Sequence, residues 1–88
     1  MQRLLLTVKH CRPIEGDVCL APFIPCLPIL STPCCTLCRP DGSTHETNIY
    51  FIFRPHAPDK PFLGHACFLE QLRPADVPPG TQVWVTTL

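Results

Sequence analysis

Twelve prolines spread along 88 residues leave this chain almost no room for helix. The longest stretch without one, Asp41 to Arg54, is 14 residues, and the next, Met1 to Arg12 and Phe62 to Arg73, are 12 each. An interior proline removes a backbone hydrogen bond, clashes with the preceding turn and costs a helix about 3 kcal/mol. The chain must therefore be built from strands, turns and proline-rich loops, with no long helix. One domain over residues 1–88 fits the length. A chain of this size buries only about 60–65% of its unfolded surface, so a metal, disulfides or a partner surface would matter to its stability.

Several segments read as strands. Leu4-Leu5-Leu6-Thr7-Val8 is apolar and partly β-branched, and Asp17-Val18-Cys19-Leu20-Ala21 follows a turn signal at Gly16. Asn48-Ile49-Tyr50-Phe51-Ile52-Phe53 is aromatic, β-branched and apolar on both faces, the pattern of a central strand. Gln82-Val83-Trp84-Val85-Thr86-Thr87 is entered from Pro78-Pro79-Gly80. Ala66 to Leu72 reads equally as a strand or a helical turn. Arg39-Pro40-Asp41-Gly42 is a turn sequence: proline presets φ, aspartate bonds its own backbone and glycine accepts positive φ. It predicts a hairpin joining the cysteine-rich segment to the strand at 47–54. Together these predict a mostly-β fold, a small barrel or curled antiparallel sheet of five to six strands. Its core should bury Ile49, Phe51, Phe53, Val83 and Val85 together, with Tyr50 and Ile52 covered on the other face.

Seven basic and seven acidic side chains cancel, and no segment concentrates one sign, so the chain lacks the electrostatic footprint of a nucleic-acid binder. The opening Met1–His10 does not have the pattern of a secretory signal. The longest apolar run, Val18 to Leu30, has 13 residues and three prolines, too short and too broken to span a bilayer. These features lead us to expect a cytoplasmic protein, in whose compartment cysteines stay reduced.

Six of the seven cysteines fall within the first 38 residues. Cys35-Thr36-Leu37-Cys38, followed by a tight turn, has the spacing of a zinc knuckle, in which turn amides orient two thiolates. His65-Ala66-Cys67 would supply the second pair, since residues i and i+2 share a strand face; His45 is the alternative fourth ligand. The cofactor would be a structural Zn2+. The other readings are reduced cysteines that pack as small hydrophobes, and disulfides. Cys11, Cys19 and Cys26 show no paired-ligand spacing. His10 adjoins Cys11, but strand neighbours point to opposite faces, so the pair does not make a nucleophile and base.

Pro22, Pro25 and Pro28 recur at the polyproline II period. The flank Pro22, Phe23, Pro25 and Pro28 is therefore either a surface for a protein partner or an extended segment packed on its own sheet. His56, in Arg54-Pro55-His56, is either a solvated loop residue or an anion contact.

Three pieces of the chain resemble the PemK/MazF family of toxin endoribonucleases: Arg12-Pro13-Ile14-Glu15-Gly16-Asp17-Val18-Cys19-Leu20, Arg39-Pro40, and Ala66-Cys67-Phe68-Leu69-Glu70-Gln71-Leu72-Arg73-Pro74-Ala75-Asp76. The resemblance implies an SH3-like barrel and an endoribonuclease, active or degenerate, in which Arg39, Arg54 or His56 would meet RNA phosphate. Three functional readings follow. One is a small non-enzymatic interaction protein that binds a protein partner, with or without zinc. The second is the nuclease. The third is a chain whose Cys/Pro/Leu bias reflects its coding composition and which carries no evolved activity.

Overall fold

The computed structural model describes residues 1–54 and 64–88. They form β1 (Gln2–Thr7), β2 (His10–Ile14), β3 (Asp17–Ile24), β4 (Leu30–Cys38), β5 (Thr44–Arg54), β6 (Gly64–Leu69) and β7 (Gln82–Thr87), with one 3-10 turn at Pro74–Asp76. All pairings are antiparallel, in the order β1-β7-β4-β5-β6-β3-β2. The sheet is a curled half-barrel, and its two ends meet through Val8 and Lys9. Val8 N–H donates to Thr81 C=O (2.8 Å), Gly80 N–H donates to Val8 C=O (2.8 Å), and Lys9 N–H donates to Ala21 C=O (2.9 Å).

Local chemistry sets the turns. Glu15 and Gly16 both take positive φ, 48° and 87°, as a two-residue hairpin with the twist of its strands requires. The Arg39–Gly42 turn joins β4 to β5 as expected: Gly42 N–H donates to Arg39 C=O (2.9 Å), and Asp41 Oδ1 accepts from Ser43 N–H (2.9 Å) and Ser43 Oγ (2.7 Å). Gly64 opens β6 at φ 87°, and a Cβ there would stand 2.7 Å from Ile24 C=O. The ambiguous segment at 66–72 resolves into strand through Leu69, then a turn with Gln71 at φ 56°.

Seven strands stand where five to six were expected. The strand not placed from the sequence is β2, which contains Pro13. It is tolerated because β2 is an edge: Ile14 closes the hairpin against Asp17, so alternation turns Pro13's nitrogen toward the free side. The other strand prolines also avoid regular ladder positions. Pro22 lies in the register shift between Leu20 and Ile24, and Pro33 in the one between Leu30 and Cys35.

The inner face of the curl is the core. Val18, Leu20, Leu37, Cys67, Leu69, Val83 and Val85 are at most 1% exposed, joined by Val8, Val77, Ile49 and Cys35. Ile49, Val83 and Val85 are buried as expected, and Phe51 packs half-buried against them. Phe53 is a correction: it shares their register but stands past the covered part of β5, 55% exposed. Ile52 is likewise 43% exposed, whereas Tyr50 is half-buried. The only fully buried polar side chain among the described residues, Thr81, donates from Oγ1 to Pro78 C=O (2.6 Å).

Phe68 is 2% exposed, so Phe68→Ala should cost about 3–5 kcal/mol. Phe53→Ala should stay within roughly 0.5 kcal/mol. Urea denaturation midpoints of the two variants check this; equal shifts would show that the core is drawn in the wrong place.

Candidate functional site

Register brings chemistry together on the outer face of β2, β3, β6 and β5. Arg12 pairs with Cys19, Cys19 with Phe68 and Phe68 with Tyr50, so these four stand side by side across the strands. Cys19, Ala66 and Phe68 form a second buried cluster, flanked by Phe23 and Tyr50. The Tyr50 ring stacks on Phe68, centroids 5.0 Å apart and planes 6° from parallel. Its hydroxyl donates to Asp17 Oδ2 (2.6 Å), while Asp17 Oδ1 accepts from Gln71 N–H (3.0 Å). The first bond pins Tyr50, and the second ties β3 to the turn after β6.

Beside this row lies a pocket of about 270 Å3, lined by His10, Arg12, Cys19, Leu20, Ala21 and Phe23. Its floor is apolar, and the guanidinium and imidazole come from β2. Such a pocket accepts an apolar side chain with a carboxylate beside it. Of the proline flank, Phe23 lines the pocket, Pro22 and Pro25 are exposed, and Pro28 is half-buried. His10 and Cys11 diverge as strand neighbours do: His10 lines the pocket, while Cys11 Sγ faces Val77 C=O at 3.5 Å and Pro74 C=O at 3.8 Å.

The remaining sequence candidates are dispersed. All seven cysteines are free thiols. Cys35 is buried beside Leu37 on the inner face, and Cys38, three residues on, projects from the opposite face of β4. Cys67 shares the core with Cys35. His65 lies half-buried on Cys67's side of β6, its ring 5.1 Å from Phe53, and His45 is exposed on β5. Among the described residues no three His, Cys, Asp or Glu side chains gather to hold a metal ion. Burial, then the neighbouring Cys34, pushes the Cys35 thiol up to about 12; burial raises Cys67 and Cys11 as well. Arg39 braces the fold, with Nε donating to Asp76 C=O (2.7 Å) and a terminal nitrogen to Ser43 Oγ (3.4 Å). His56 and the Arg54 side chain lie outside the described residues.

Sequence reading missed the Arg12/His10 pocket and the Tyr50–Asp17 bond. Each depends on strand order, although the hairpin at Glu15-Gly16 would have placed Arg12 opposite Cys19.

The bond to Asp17, then burial, pushes the Tyr50 hydroxyl up to about 12, and the same bond, with Gln71 N–H, holds Asp17 below its usual range. A raised tyrosine stabilises the fold below its ordinary value and loses that contribution as pH climbs toward about 12. A lowered aspartate stabilises above its ordinary value and loses that contribution as pH falls through its folded one. Tyr50 is the only tyrosine, so ultraviolet titration of the native protein reads it directly. Its midpoint should lie near 12 and fall toward about 10 in Asp17→Asn; an unchanged midpoint would remove the bond. Thiol labelling gives a second check. Cys26 and Cys34 are exposed and should react first near neutral pH, with Cys35 and Cys67 labelled only on unfolding.

No protein-family model, no curated protein and no solved structure matches this chain.

Proposed function

We propose that this protein is a non-enzymatic interaction protein that binds a protein partner on the outer face of β2 and β3. The observation that supports this is the pocket of about 270 Å3 in which an apolar floor of Cys19, Ala21 and Phe23 meets Arg12 and His10. Pro22 and Pro25, which flank Phe23 in sequence, are exposed. The partner contributes an apolar side chain flanked by a carboxylate: the side chain fills the pocket, and the carboxylate meets Arg12. The chain's net charge of zero leaves recognition to these short-range contacts rather than to steering.

A photocrosslinking side chain at position 23 should capture one protein species in the producing cell, and the same group at position 43, on the β4–β5 hairpin, should not. Arg12→Glu should weaken that complex about tenfold or more by setting like charges together, with the circular dichroism spectrum unchanged. Equal capture from both positions would sink the reading. So would cleavage of single-stranded RNA by the purified protein, which would instead support the nuclease reading that invokes Arg39, Arg54 and His56.

A further inference from the structure

The ladder between β4 and β5 runs from Cys38↔Thr44 to Cys34↔Asn48 and stops, although β5 continues to Arg54 and pairs with β6 along that length. Continued by one step, the register would set Pro33 against Ile49, but Pro33 has no N–H to give. On its other side β4 bulges from β7: Leu30 to Cys35 covers five steps while Thr87 to Val85 covers two. Ser31, Thr32 and Pro33 are therefore out of register with both neighbours.

A seam results. Asn48 C=O accepts from Glu70 N–H (3.2 Å), on the β6 side. By strand alternation, Tyr50 and Ile52 also direct their backbone groups toward β6, and Ile49 and Phe51 direct theirs toward the seam. There a cleft of about 470 Å3 separates the two arms, lined by Leu27, Leu30, Pro33, Ile49 and Phe51, with Ser31, Thr32 and Tyr50. None of these side chains is charged, and the Tyr50 hydroxyl is engaged by Asp17. Among the described residues this strand edge is paired on one side only, and such an edge over an uncharged, mostly apolar cleft is complementary to a backbone, not to a phosphate or a metal ion.

We propose that the β5 edge at Phe51, just past the buried Ile49, is a strand-addition site. Its occupant is a short extended segment of a protein partner, uncharged, with apolar residues at alternate positions. Backbone hydrogen bonds to Phe51 give affinity, and the apolar residues enter the space between Phe51 and Leu30. This site opens between β4 and β5 and does not depend on the pocket beside β2.

Amide hydrogen exchange tests it first on the free protein. The Phe51 amide should exchange at least about tenfold faster than those of Tyr50 and Ile52, because only theirs face a laddered strand. Equal protection of the three would overturn the proposal. A displayed library of random heptapeptides is then selected on the whole chain. Enriched peptides should alternate apolar and polar residues, raise Phe51 protection about tenfold, and lose binding when the amide facing Phe51 is N-methylated. Failure to enrich any peptide, or binding indifferent to N-methylation, overturns it. Phe51 protection that rises with protein concentration alongside dimerisation in sedimentation also overturns it, since a second copy would then be the occupant. Phe23→Ala should leave peptide binding unchanged, which separates this site from the pocket.

Discussion

A proline cannot donate a backbone hydrogen bond, and in a chain with twelve of them that one deficiency dictates where the sheet can be continuous. Pro13 is accommodated because it lies on an edge strand with its nitrogen turned outward. Pro22 and Pro33 sit in the two register shifts that break the β3–β6 and β4–β7 ladders. The core runs between these interruptions rather than across them. Leu37, Val83, Leu69 and Val18 occupy stretches where ladder pairing is regular, and they are completely buried. Pairing and packing thus reinforce one another in the middle of the curl and weaken together at its rim.

The curl is held by few groups. Val8 bonds to Thr81 and Gly80, and Lys9 to Ala21, so two residues between β1 and β2 connect strands at opposite ends of the order. Val8 is itself 1% exposed, so the same residue closes the backbone and plugs the core. Next to this closure, where Pro40 packs against Gly80, Arg39 draws the β4–β5 hairpin toward the turn at Pro74–Asp76. Its guanidinium satisfies the Asp76 carbonyl, which makes it a structural strut.

The two faces of the sheet differ in kind. The inner face is closed and apolar, and its thiols are shifted upward by burial, as befits packing groups. The outer face carries a graded row: Arg12 at the edge, then Cys19 and Phe68, then Tyr50 bonded to Asp17. This row is an apolar surface with a cation at one end and a fixed hydroxyl at the other. The seam between β4 and β5 adds a different chemistry, that of backbone edges, at a separate place.

The β class, the absence of long helix, the Arg39–Gly42 hairpin and the burial of Ile49, Val83 and Val85 were legible in the residues, because proline content, turn chemistry and two-residue periodicity act over a few neighbours. Phe53 was misplaced for the same reason. Periodicity says which face a residue takes, not how far the covering layer extends, and β5 outruns its cover. For Cys35 and Cys38, spacing alone does not reveal whether the backbone between them turns or stays extended; pairing of both residues with β5 and β7 keeps it extended and sends them to opposite faces. Which strand lies beside which is set by contacts far apart in sequence. The Arg12–Cys19–Phe68–Tyr50 row, the Asp17–Tyr50 bond and the open seam at Pro33 therefore existed only once the sheet order was formed. Local chemistry decided the strands and turns, and long-range pairing decided which side chains could meet.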